Sequence, residues 1–209
     1  MKQQIAKDLL SIEAVTLSVE HPYTWSSGMK SPIYCDNRLT LSYPEVRSRI
    51  AEGLKELVLN HYPDADMIAG TATAGIPHAA LLADRLSLPM SYVRSSAKSH
   101  GKGKHIEGKA EASMKVVVVE DLISTGGSVI SAVKALRDAG CNVLGVVAVF
   151  SYELVKGFDN LADHKINVQT LTDFSTLIET ASVEGYISKK DLSHLLRWKE
   201  NPENWLQNA

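Results

Sequence analysis

The chain has 209 residues, 44% of them hydrophobic, and its 22 Lys and Arg against 24 Asp and Glu leave a formal net charge of −2. That length buries a full core as one domain, and without a basic excess the composition argues against a nucleic-acid binder. Cys35 and Cys141 stand far apart with no paired spacing, which argues against a disulfide scaffold or a zinc site, and no apolar run is long enough for a membrane span or a leader; a reducing cytoplasm is the expected location.

Residues 2 to 13 carry Ile5, Leu9, Leu10 and Ile12 at helical spacing, so a short amphipathic helix opens the chain. From Tyr23 to Arg38, aromatic stretches flank a Ser27-Gly28 turn and Pro32 interrupts the second arm, the pattern of an irregular hairpin placed to cover a site. Ser42-Tyr43-Pro44-Glu45 reads as a capping box opening a helix to about Asn60, whose apolar face holds Val46, Ile50, Leu54, Leu57 and Val58. Met67-Ile68-Ala69 is a short strand. It leads into Gly70-Thr71-Ala72-Thr73-Ala74-Gly75-Ile76-Pro77 and then a helix, a small-residue loop of the kind that cradles an anion. His78, on the apolar face of that helix, reads as a packing residue.

Pro89 to Val93 is the next strand. Residues 94 to 109 follow with almost no apolar side chain, five Lys or Arg in sixteen positions and three glycines: a solvated loop or a clamp for a polyanion. Val116 to Val119 are four consecutive β-branched residues, as expected of a strand buried on both faces. After it come Glu120-Asp121-Leu122-Ile123-Ser124-Thr125-Gly126-Gly127-Ser128 and a helix ended by Gly140, an arrangement suited to a phosphate at the helix start. Ser128 stands where a nucleotide-triphosphate loop needs lysine, and Gly126 and Gly127 are too few for a dinucleotide fingerprint. Two carboxylates beside a phosphate cradle need a hydrogen-bond donor or a cation between them, so a sugar diol or Mg²⁺ is indicated. A ribose 5-phosphate fits, with its phosphate on Thr125 to Ser128 and its hydroxyls on Glu120 and Asp121. Val143 to Phe150 and Asn167 to Leu171 are further strands; helices carrying Leu177 and Ile178, and then Ser188 to Trp198, close the chain before Pro202.

The string from Val116 to Ser128 resembles the phosphoribosyl-pyrophosphate motif of the type I phosphoribosyltransferases, in a form closest to the orotate phosphoribosyltransferases. The resemblance extends to Ser27, Gly28, Ser31 and Pro32 in the hairpin, which that family uses as a hood over the base, and to Arg94, Lys98, His100 and Gly101 in its catalytic loop. It implies that phosphoribosyl pyrophosphate (PRPP) meets Arg94, Lys98, His100, Thr71, Ala72, Thr73 and the run Glu120, Asp121, Leu122, Ile123, Ser124, Thr125, Gly126, Gly127 and Ser128. Orotate would touch Ser124, Tyr34 and Cys35, and Lys98, His100 and Arg94 would be catalytic. It further implies Mg²⁺ held by the substrate, with a water to Asp121 as the protein's contact, and a homodimer whose Arg94 loop reaches the partner's site. The chain departs from some members at Ser26 and Ala74, where they carry lysine, at Ser95, where they carry a second basic residue, and at Tyr152, where they place an orotate-binding arginine.

The expected fold is α/β, a mainly parallel sheet flanked by helices with a small N-terminal hood: one phosphoribosyltransferase domain over 1–209, with the hood at about 1–40, the core at about 44–171 and C-terminal helices at about 172–200. The expected activity makes orotidine 5′-monophosphate and pyrophosphate from orotate and PRPP, without nucleic acid or membrane. A purine phosphoribosyltransferase and a non-catalytic PRPP-sensing regulator are the alternatives. Lys102, Lys104 and His105 read as solvated charge.

Overall fold

The computed structural model describes residues 1–25, 28–95 and 105–206. In chain order these form α1 (Lys2–Ser11), β1 (Val15–Leu17), β2 (Tyr23–Thr24), β3 (Lys30–Ser31), β4 (Ile33–Cys35), a 3₁₀ turn (Asn37–Ser42), α2 (Pro44–His61), β5 (Met67–Thr71), α3 (Gly75–Leu86), β6 (Met90–Val93) and β7 (Ile106–Glu107). They continue with β8 (Lys115–Ile123), α4 (Gly127–Asp138), β9 (Asn142–Ser151), α5 (Val155–Asp163), β10 (Val168–Asp173), α6 (Phe174–Val183) and α7 (Lys189–Glu200).

The main sheet runs β10-β9-β8-β5-β6-β7, parallel except for β7 on the edge. Val116 to Val119 are fully buried, as two-faced burial requires. Val117 and Val119 join one core with α1, α2, α3, α6 and α7, whereas Val116 and Val118 join a second core with α4 and α5. Each such valine brings about 1.5–3 kcal/mol of transfer free energy.

From β5 the chain steps through α3 to β6 on one side; from β8 it steps through α4 to β9 on the other. Right-handed crossovers in opposite directions put α3 and α4 on opposite faces. The crevice between the ends of β5 and β8 is therefore the topological switch point, where an open α/β sheet takes its ligand.

The hood is two ribbons, β1 with β4 and β2 with β3, both antiparallel. The irregular hairpin thus splits at Pro32: Lys30–Ser31 answers β2, and Ile33–Cys35 turns to β1, a strand with too few residues to signal itself. Two-stranded ribbons are marginal alone, and this hood is held from outside. Trp25 packs against Tyr152 and Trp198 with centroids 4.8 and 5.9 Å away, and Asn37 Nδ2 donates to the Asp121 carbonyl at 2.7 Å.

Two expectations need correction. Ser42 does not cap α2; Tyr43 holds the N-cap position without a side-chain bond, because the preceding 3₁₀ turn absorbs Ser42 and closes with Tyr43 N–H to the Thr40 carbonyl. The central strand does not end at Val119 but runs to Ile123, since β9 offers Phe150 and Ser151 as partners for Leu122 and Ile123.

Candidate active site

Strand β8 carries both carboxylates to the switch point. Glu120 is buried, and both its oxygens are engaged: Oε2 accepts from the Ser128 hydroxyl at 2.7 Å and Oε1 from the Asp121 N–H at 3.1 Å. Asp121 is pushed up to about 7 by burial first, then by the hydrogen bond and charge of Glu120, while His78 draws it down. His78 itself is buried, with neither ring nitrogen hydrogen-bonded among the described residues, and its burial lowers its pKa, so a neutral imidazole sits near Asp121.

The candidate phosphate loop between β8 and α4 is short: Ser124 and Thr125, then Gly126 at φ +80 as the N-cap of α4, a backbone region that a side chain would strain. Helix α5 buttresses it. Asn160 Nδ2 donates to the Thr125 carbonyl at 2.9 Å, and a Cβ on Gly157 would collide with the Ser124 carbonyl. The facing loop is tied in as well, with the Thr71 hydroxyl donating to the Val119 carbonyl at 3.1 Å and the Ala72 N–H to that of Val93 at 2.9 Å. The Ala72–Thr73 peptide is cis.

Two cavities adjoin there. The smaller, about 330 Å³, is lined by Cys35, Ala72, Thr73, Glu120, Asp121 and Ser128 among others. The larger, about 790 Å³, lies between the hood (Thr24, Trp25, Met29, Tyr34, Cys35), the phosphate loop (Ser124, Thr125), the start of α5 (Leu154 to Lys156) and the end of the chain (Lys199 to Glu203). Cys35 and Leu122 line both, so they mark the junction. Cys35 is held as the neutral thiol by burial and by the Asp121 and Asp36 carboxylates, and its Sγ donates to Asn37 Oδ1 at 3.3 Å.

Most of the residues singled out from sequence converge on these cavities, but not all. The Ile123 side chain is buried in the second core, and the Thr71 side chain is spent on Val119. Arg94 directly follows β6, beside Glu107 at 3.6 Å; the pairing of β6 with β7 and the Arg94 N–H to the His105 carbonyl at 2.8 Å fix the two ends of the intervening loop at the carboxyl edge of the sheet. Lys98, His100, Gly101, Lys102, Lys104, Ser26 and Ser27 lie outside the described residues. Tyr152 is buried among Trp25, Phe150 and Trp198, and burial raises its pKa, so it offers the larger cavity a neutral phenol.

Sequence reading missed Asn37, Lys156, Gly157 and Asn160. Lys156 and Lys199 are the cations lining the larger cavity among the described residues; Lys199 donates to Glu153 Oε2 at 2.8 Å and Ser175 Oγ at 2.6 Å, which leaves Lys156 facing the space.

The model of the phosphoribosyl transferase domain matches residues 42–175. The orotate phosphoribosyltransferase of Bacillus cytotoxicus is 59% identical over 208 residues, 99% of each chain, and that of Bacillus caldolyticus 60% identical over 205 residues, 98% of this chain and 99% of the other. The crystal structure of orotate phosphoribosyltransferase from Aeropyrum pernix superposes with a TM-score of 0.77 at 30% identity, covering 88% of this chain and 99% of that one. With its core matched by the domain model and nearly its full length by proteins of that name, the chain belongs to the orotate phosphoribosyltransferases, within the phosphoribosyl transferase domain family.

Proposed function

We propose that the protein transfers the phosphoribosyl group of PRPP to orotate, giving orotidine 5′-monophosphate and pyrophosphate in pyrimidine (UMP) biosynthesis. The carrying observation is the pair of adjoining cavities: one floored by two carboxylates and a helix start, the other walled by aromatic rings with one unengaged cation, meeting at Cys35 and Leu122. Ribose and pyrophosphate belong in the first, the 5-phosphate beside it on the loop at 124–128, and a flat anionic base in the second.

In the reaction the bond from C1 to pyrophosphate breaks as the bond from C1 to the base nitrogen forms, through an oxocarbenium-like state, so developing charge on the leaving group must be stabilised. Ser124, Thr125 and the first turn of α4 hold the 5-phosphate by N–H groups. Asp121 and Glu120 accept from the ribose hydroxyls, and the Ser128 bond keeps Glu120 in one rotamer. Arg94 stands at the sheet edge to meet pyrophosphate, and Lys98 and His100, by their sequence match, join it and deliver a proton. Lys156 meets the orotate carboxylate where other members place arginine on this stretch.

Hard oxygen donors at the floor of the smaller cavity suit Mg²⁺, which takes one or two carboxylates together with substrate phosphates. When bound it supplies positive charge to the pyrophosphate. Water must be kept from C1, a role that suits the 94–109 loop. The working unit is inferred to be a homodimer whose Arg94 loops cross between sites, which light scattering and mixed-variant complementation test. No helix of the described residues is long and apolar enough to cross a membrane.

The deciding assay is orotate consumption by purified protein with PRPP and Mg²⁺, beside Lys98→Ala and with adenine, hypoxanthine and uracil as competing bases. Orotate-only turnover that collapses in the variant is expected. Turnover of a purine base would move the protein to a purine activity, and PRPP binding without turnover would make it a sensor.

A further inference from the structure

We propose that the carboxyl-terminal segment from Trp198 to Trp205 is a strap that sets the shape of the base cavity, with Trp205 as a positioning residue acting through the hood. The inference rests on the functional reading above for its substrate, but the strap itself is read from contacts.

The segment supplies part of the wall of the larger cavity: Lys199, Glu200, Asn201, Pro202 and Glu203 line it together with Thr24, Trp25 and Met29 of the hood. One end of the strap is anchored to the sheet. Lys199 donates to Glu153 and Ser175, and Glu153 also accepts from the Ser175 N–H at 2.9 Å, which ties the last turn of α7 to the turn after β9. Trp198, fully buried, sits between Trp25 of the hood and Phe174 of α6, with centroids 5.9 and 5.1 Å away. Pro202 then stops α7, and the chain folds back with the Asn204 N–H on the Asn201 carbonyl at 3.3 Å.

The other end grips the hood. Trp205 is 7% exposed, and its indole N–H donates to the Lys30 carbonyl at 3.0 Å across 175 positions of sequence. A buried indole N–H needs an acceptor, and Lys30 supplies one from β3, whose partner strand β2 carries Thr24 to the cavity wall. A ribbon with two paired positions has little stiffness of its own. Its place over the base therefore depends on Trp25 packing from one side and the Trp205 bond from the other. The smaller cavity draws its lining from Ala72, Thr73, Ala74, Glu120, Asp121 and Ser128 and from the 35–38 stretch, and no strap residue lines it. Of the residues assigned to PRPP, only Leu122, Ser124 and Thr125 share the larger cavity with the strap, so loosening the strap should weaken base binding much more than PRPP binding.

The test uses the full chain with Trp205→Ala and Trp205→Phe. The Ala variant loses ring and donor and is expected to raise KM for orotate about tenfold; the Phe variant keeps an aromatic ring, loses the donor and some packing, and should raise it about threefold, near the size of one neutral hydrogen bond. KM for PRPP is expected to stay within about twofold in both, with a smaller change in kcat than in orotate KM. Trypsin supplies a second readout: Lys30 is exposed, and release of the fragment ending there should quicken in the Ala variant at temperatures well below its Tm. An unmoved orotate KM, an equal rise in both KM values, or unchanged cleavage after Lys30 would each overturn the strap. If the wild-type protein turned over no orotate, the functional reading would fall, and cleavage at Lys30 would decide the strap by itself.

Discussion

Asp121→Asn should make the ligand-free protein more stable at pH 8 while weakening PRPP binding. In the folded chain burial and Glu120 push the Asp121 carboxyl up to about 7, against about 3.9 in an unfolded chain. A raised folded pKa means that the native state holds the proton more tightly. The stability it contributes is fully present below the unfolded value and is lost as pH rises through about 7. At about 1.36 kcal/mol per unit the ceiling is about 4 kcal/mol; sharing of charge with Glu120 and partial solvent access bring the expected loss between pH 5 and 8 to about 2 kcal/mol. Urea unfolding without ligand at the two pH values measures it. With a slope of about 2–3 kcal/mol/M, the wild-type midpoint should fall by about 0.7–1 M more than that of the variant. His78, whose pKa burial lowers and Asp121 raises, destabilises in the opposite direction as pH falls below its unfolded value; losing Asp121 removes that support, so the difference reports Asp121 together with its coupling to His78. Parallel decline of the two proteins from pH 5 to 8, or a variant less stable at pH 8, would refute the reasoning. A gain in stability with a loss of PRPP affinity is the signature of a residue kept for function.

Gly157→Ala should damage the phosphate side: the added Cβ meets the Ser124 carbonyl, and shifting the loop should cost about 1–3 kcal/mol of stability and raise the PRPP KM about tenfold, read by urea unfolding and steady-state kinetics. Lys156→Gln should spare PRPP binding and raise the orotate KM about tenfold to a hundredfold, the range for one charge-assisted hydrogen bond. Preference for orotate over uracil, which lacks the carboxylate, should shrink by the same factor, and unchanged discrimination would remove Lys156 from the base site.

What was legible in the sequence is what is local. The Val116–Ser128 stretch carries strand, turn chemistry and helix start in thirteen consecutive positions, and these suffice to mark a phosphate site. The small-residue loop at 70–77 is legible for the same reason. Helix α5 was not, although Val155, Phe158, Leu161 and Ala162 recur at helical spacing; the stripe is short and mostly unburied, since only Gly157 and Leu161 are buried while Val155 and Phe158 are exposed. Its contacts with the candidate site reach across the fold: Asn160 and Gly157 to the loop at 124–125, Lys156 to the cavity. Asn37 is as invisible in sequence, since its role exists only once the hood lies against Asp121, 84 positions away. Local rules also misplaced boundaries where a neighbour had the stronger claim, as when pairing with β9 drew Glu120 to Ile123 into the strand.

That last shift bears on the chemistry. Were Glu120 and Asp121 in a free loop, both carboxylates would be solvated and ionised near neutrality, and they would repel a phosphorylated sugar. Held as successive strand residues they point to opposite sides of the sheet. Both border the smaller cavity, Glu120 buried and bonded to Ser128, Asp121 with its pKa pushed up to about 7. On the proposed function the pair would present less than two full negative charges to PRPP, and donors on the ribose or a cation would complete the neutralisation. Two residues that look like a liability beside a phosphate cradle would then owe their fitness for it to their place in β8.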